Sequence, residues 1–276
     1  MSFAIPTVAP VTVTSNTVQP VAGATVQINT ATPVVVTDSG AASTPVVVTG
    51  DGTLAVGTQK AQVVLDNGNI NIGIARDANG NPLGMGGSVI QAQDDSTGSK
   101  VVNLDGANIG GAKVSGNVNL AGTGGGVGTI ADNAPPGTFS GTPDIYIHTG
   151  AGNDEIQGSS GIDFIRAGAG NDVINAGAGN DIVRTGTGTD QVTLGQGNDV
   201  VYMTVDQLQG TFTKTISDFR TSGSDKIQIA KNLQGLVTIT GKGTKQIVIT
   251  LSGAQTGTTT IVSQGEVFRD EDIQFI

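Results

Sequence analysis

Between Thr149 and Tyr202 the chain repeats itself every nine residues, six times without a gap. The units are TGAGNDEIQ (149–157), GSSGIDFIR (158–166), AGAGNDVIN (167–175), AGAGNDIVR (176–184), TGTGTDQVT (185–193) and LGQGNDVVY (194–202). The fourth position is always Gly, at Gly152, Gly161, Gly170, Gly179, Gly188 and Gly197. The second is Gly at Gly150, Gly168, Gly177, Gly186 and Gly195, with Ser159 in its place in the second unit. The sixth is always Asp, at Asp154, Asp163, Asp172, Asp181, Asp190 and Asp199. The eighth is always β-branched, at Ile156, Ile165, Ile174, Val183, Val192 and Val201. A short strict period confines the fold, because each unit must occupy the same place in a stack and bury its neighbour's face.

The residue types say what each unit does. Gly supplies backbone conformations closed to other residues, so the first six residues can turn tightly and aim carbonyls inward. Asp ends the turn with a short, hard-oxygen ligand of the kind calcium prefers, since that ion takes six to eight oxygens in flexible geometry. The last three residues form a strand whose middle side chain points into the core by period-two alternation.

The pattern G-G-x-G-x-D-x-U-x resembles that of the RTX family of calcium-binding nonapeptide repeats. The resemblance implies that two units make one coil of a right-handed parallel β-roll, with calcium between stacked turns on each edge. It places Asp154, Asp172 and Asp190 on one edge and Asp163, Asp181 and Asp199 on the other, beside the turn glycines. Ions would bridge 154/172, 172/190, 163/181 and 181/199, making about four complete inter-turn sites. The first position departs from the family's Gly, being mostly Ala, Thr or Leu, as does Ser159.

Charge explains the need for metal. Of the 23 acids and 13 bases in the chain, residues 149–202 hold seven acids and two bases. Coils stack at roughly 4.8 Å. Carboxylates at that spacing repel by about 3 to 4 kcal/mol at an effective dielectric of about 20. Without cations the two ladders oppose folding, and with them they favour it.

Composition closes other routes. The net charge of −10 and the scarcity of Lys argue against nucleic acid as a partner. Cys is absent, so neither disulfides nor thiolate sites staple the fold. No run approaches the ~18 apolar residues of a transmembrane helix. With 43 Gly, no Trp and few other aromatics, the core must be built from β-branched residues in regular layers.

The expected fold is therefore all-β, a central parallel roll with β-rich flanks. Residues 1–136 read as a Val/Thr/Gly-rich β region with an assembly role, 137–202 as the roll, and 203–276 as a C-terminal β cap. In the first, VTVTSNTVQ, PVVVTD and TPVVVTG read as strands, and QVVLDNGNINIGIA (62–75) carries an Asn-Gly hairpin signal. Residues 101–126 look like short strands at close turns. TISDFRTSGSDKIQIA resembles the segment that often closes RTX regions, and the acidic, then apolar, end EVFRDEDIQFI is similar to type I secretion signals.

No H-E-x-x-H or G-x-S-x-G is present, and the single His, His148, reads as an outward strand residue. Asp94-Asp95 and Asp270–Asp272 read as solvated acids. No catalytic residues and no cofactor besides calcium are assigned. The expected function is a secreted calcium-binding structural protein that self-assembles at the cell surface or in extracellular matrix. It would be a homo-oligomer or polymer, with cell-surface polysaccharide as a further candidate partner. The alternatives are an exported RTX enzyme acting on polysaccharide or protein, and a calcium-dependent adhesin. Alternation makes one sheet's outer face polar, with Glu155, Val173, Gln191, Gln157, Asn175 and Thr193. The other presents Phe164, Ile182 and Val200, flanked by Arg166, Arg184 and Tyr202, and should be covered, either by the chain's own flanks or by another subunit.

Overall fold

The computed structural model describes residues 152–276 continuously and, before them, residues 11–12, 17–18, 25–28, 34–36, 46–50, 52–56, 62–65, 69–74, 88–92, 100–103 and 145–149. The three residues after each repeat Asp are extended, and successive units go alternately to two sheets. Asp163–Arg166, Ile182–Arg184 and Val200–Met203 pair in parallel in the first sheet. Glu155–Gln157, Val173–Asn175 and Thr189–Thr193 do so in the second. Equivalent residues of stacked coils are 18 apart, so two nonapeptides close one coil.

The eighth residues fill the space between the sheets. Ile156, Ile174 and Val192 come from one side and Ile165, Val183 and Val201 from the other, each at most 2% exposed. Their cluster runs on without a break into Leu54, Val63, Ile70, Ile72, Ile90, Val102 and Ile147. The same alternation organises the N-terminal strands. Ile145–His148 pairs in parallel with both Asp163–Arg166 and Ser88–Ala92, and Lys100–Asn103 with both Glu155–Gln157 and Ile70–Ile74. Counting all named strands, the first sheet has 11 and runs from Val11–Thr12 to Ile273–Phe275; the second has 12 and runs from Thr17–Val18 to Val237–Thr240. The chain is thus all-β with a parallel roll at its centre.

The Asn-Gly signal at Asn67-Gly68 does not make a hairpin. Gln62–Leu65 lies in the first sheet, between Val46–Gly50 and Ser88–Ala92. Ile70–Ile74 lies in the second, between Gly52–Val56 and Lys100–Asn103. Turn chemistry reports that the chain reverses, but not which strand it meets afterwards. Here each strand already has two parallel neighbours. The expected short strands of 101–126 lie outside the described residues beyond Asn103.

After Tyr202 the stack continues for one further coil, Thr211–Ile216 and Lys226–Ile229. Gly257–Ser263 then adds in parallel to Thr211–Ile216, and Gln246–Leu251 and Val237–Thr240 follow in antiparallel order. Ile273–Phe275 pairs with Lys226–Ile229. The acids before it are not all solvated: Asp272 is buried between Lys226, at 2.9 Å, and Arg220, at 3.5 Å. A tail carboxylate becomes internal here because two bases of the preceding coil meet it.

Phe164, Ile182 and Val200 are buried within the single chain, as are Arg166, Arg184 and Tyr202. Part of that cover comes from the 3-10 turn Val205–Leu208, where Asp206 pairs with Arg184 at 2.5 Å and Gln207 donates to the Tyr202 carbonyl. These six side chains are therefore not available to a second subunit. The opposite face follows the expected pattern: Glu155, Val173 and Gln191 are exposed, and Gln157, Asn175 and Thr193 are half-buried.

Candidate metal centres

The turn preceding each strand is held by the turn one coil away. At Gly188 φ is +119°, and an added Cβ would lie 1.8 Å from the Gly170 carbonyl oxygen. Both the left-handed backbone and the contact demand glycine. Gly152, Gly168, Gly170, Gly177, Gly179, Gly186, Gly195 and Gly197 share the positive φ, whereas Gly161 does not and Gly150 lies outside the described residues. Gly161 differs because of Ser159. That side chain accepts from the Gly161 N–H and donates to Asp163, and its own N–H donates to Asp163 Oδ2 at 2.6 Å. We expect Gly188→Ala to cost at least about 3 kcal/mol in strain and overpacking, read in a urea melt at saturating calcium. An unchanged midpoint would show that the turns are not tightly stacked.

Asp154, Asp172 and Asp190 stand in one column at the edge of the second sheet, and Asp163, Asp181 and Asp199 in another at the edge of the first. All six are at most 2% exposed. In each column the backbone N–H of one rung donates to Oδ1 of the next: Asp154 to Asp172 at 2.9 Å, Asp172 to Asp190 at 3.0 Å, Asp163 to Asp181 and Asp181 to Asp199 at 2.8 Å. One carboxylate oxygen is thereby tied. The second, Oδ2, is buried without a hydrogen-bond partner in Asp154, Asp172 and Asp199.

A buried carboxylate oxygen with no donor is costly unless it meets a cation or a proton. Burial accordingly pushes these acids up. Asp154 rises to about 6, opposed by the Lys100 N–H; Asp199 rises to about 7, with the Asp225 and Asp218 charges adding. Asp172 rises to about 8, by burial first and then by the charges of Asp190 and Asp154 on either side. The donor set fits calcium: hard carboxylate oxygens, one from each of two stacked rungs, beside the carbonyls of the glycine turns. Among the described residues no group of three His, Cys, Asp or Glu side chains is placed to hold a metal ion. Asp163 differs in kind, since Ser159 already supplies donors to its carboxylate.

A further rung was missed in the sequence. Asp225 Oδ1 accepts the Asp199 N–H at 3.1 Å, and Gly223 packs against the Gly197 carbonyl as the repeat glycines do against theirs. Gly223, Asp225 and Ile227 keep the spacing of positions four, six and eight, but residues 203–219 interrupt the period. Asp199 is therefore an inner rung. We expect Asp172→Ala, Asp181→Ala and Asp199→Ala to raise the calcium midpoint of folding more than Asp154→Ala, by about tenfold or more for each lost shared ligand. Equal midpoints in a calcium titration would break the ladder assignment. His148 sits in register with Arg166, in the column that continues to Arg184, and is buried rather than solvent-facing.

Two parallel sheets joined by glycine turns, with a carboxylate ladder on each edge, define a calcium-binding β-roll. Residues 148–183 and 170–201 match the family model of the RTX calcium-binding nonapeptide repeat, with four copies, and this part of the chain is an RTX repeat region. A search of curated proteins found no match. Among the described residues no helix is long and apolar enough to cross a membrane, which says nothing of a β-barrel.

Proposed function

We propose that this is a secreted, non-enzymatic structural protein whose fold is completed by calcium outside the cell, and which then assembles with copies of itself at the cell surface or in extracellular matrix. The observation that supports the reading is the pair of buried Asp ladders, in which Oδ2 of Asp154, Asp172 and Asp199 lacks a donor; it favours folding that waits for a cation scarce in cytoplasm and plentiful outside. About five inter-turn intervals would hold ions, 154/172, 172/190, 163/181, 181/199 and 199/225, the last resting on Asp225. Assembly is supported by the stacked architecture of a chain poor in charge and in catalytic groups, with sheet edges as the natural contacts. The buried Phe164 face takes no part.

The adhesin reading has one specific observation in its favour. The outer face of the second sheet carries a shallow concavity of about 330 Å³, lined among others by Gln157, Asn175, Gln191 and Thr193, amides and hydroxyls suited to a polysaccharide. Electron microscopy and light scattering of refolded protein test the primary reading. Ordered polymers in millimolar calcium that dissolve on chelation are expected. A calcium-loaded protein that stays monomeric at all concentrations, yet binds polysaccharide, would replace assembly by adhesion.

A further inference from the structure

The ladder of the second sheet does not end on an acid. In register with Asp190 the next coil carries Lys214, and the rung before Asp154 is Lys100. The column reads Lys100, Asp154, Asp172, Asp190, Lys214. Lys214 is fully buried, which for a lone ammonium would be prohibitive. Its Nζ is held by three oxygens: the Gly186 carbonyl at 2.8 Å, the Gly188 carbonyl at 3.0 Å and Asp190 Oδ2 at 2.5 Å. The Phe212 ring lies 5.4 Å from it.

Those three oxygens belong to positions two, four and six of one unit, the same atoms that recur one coil earlier in Gly168, Gly170 and Asp172. The internal comparison is direct. Oδ2 of Asp154 and of Asp172 has no donor, while the equivalent atom of Asp190 has an ammonium. We propose that Lys214 is a built-in cation that takes the place of a calcium ion at the last interval of this edge, ending the metal ladder and neutralising the Asp190 rung before any calcium arrives. The edge then takes ions only between 154 and 190, whereas the other edge continues to Asp225. With its Asp190 rung already met by an ammonium, this coil is expected to hold its order at the lowest calcium. Sequence reading passes over the residue, because a lone Lys on a strand ordinarily reads as a solvated base.

Calcium counting by native mass spectrometry tests this. Lys214→Asp is expected to bind one ion more than the wild type, since the position becomes a rung. A folded Lys214→Asp protein with an unchanged count overturns the proposal, and a merely structural ion pair predicts that unchanged count. Should Lys214→Asp not fold even in calcium, Lys214→Gln decides. Hydrogen exchange of residues 185–193 should require at least about tenfold more calcium for protection than in the wild type. The same calcium midpoint in both proteins overturns the proposal.

Discussion

Chelating calcium near neutral pH will unfold the roll between about Gly152 and Ile229, with loss of β signal and rapid proteolysis there. Calcium at ~10⁻⁴–10⁻³ M, the range of weak extracellular sites, will restore both. The size of the effect follows from how many buried carboxylates depend on the ion. Six repeat Asp residues and Asp225 are all nearly inaccessible to water, and of them Asp163 and Asp190 are already met by Ser159 and Lys214. Their columns place like charges one coil apart, and binding free energy is here folding free energy. The Lys214 coil should be the last part to lose protection. Magnesium should substitute poorly, because it demands near-ideal octahedral geometry that these carbonyl-rich turns do not supply. Circular dichroism that is the same in chelator and in calcium would refute the dependence outright.

Acid should replace calcium. In the metal-free protein Asp154, Asp199 and Asp172 are pushed up to about 6, about 7 and about 8, far above the ~3.9 of an unfolded chain. Between those limits the folded state binds more protons than the unfolded one, so its stability falls as pH rises. The stabilisation by protons is fully present below about pH 4 and is lost in steps up to about pH 8. Calcium-free protein should therefore gain β structure on going from pH 8 to pH 5. With calcium bound the sign reverses, because protons compete with the metal for the same oxygens. A metal-free protein that grows less ordered as pH falls through this window would show that the carboxylates are solvated.

The six repeat rungs were legible because a strict period repeats both the residue type and its surroundings. Once Asp154 is placed, Asp172 and Asp190 follow by translation. Ser159 was legible as a departure, though not its consequence, which is donation to Asp163 from within its own turn. Asp225 was harder, since it obeys the spacing only locally, after an insertion that itself contributes the strand Thr211–Ile216. The N-terminal strands could be recognised from their Val and Thr runs. Their membership of the same two sheets could not, because they lack a fixed period, and an Asn-Gly pair in the sequence is compatible with either a hairpin or a coil. The cover over Phe164 was foreseen from alternation. That the chain supplies it alone depends on tertiary contacts such as Arg184 with Asp206, which no local pattern announces.

The fifth positions hold one more set of links. Asn153 Oδ1 accepts the Asn171 N–H, Asn171 Oδ1 the Thr189 N–H, and Asn180 Oδ1 the Asn198 N–H, always across 18 residues. Within the six-unit run these Asn ties, like the Asp ties of the two ladders, each join one repeat position to the same position one coil away. One coil is consequently the natural step by which this run can be shortened or lengthened. Excising residues 167–184 would bring Asp154 onto Asp190 and Asp163 onto Asp199, shortening the roll by roughly 4.8 Å and removing the pairing of Arg184 with Asp206. Duplicating the same stretch would lengthen it by that step.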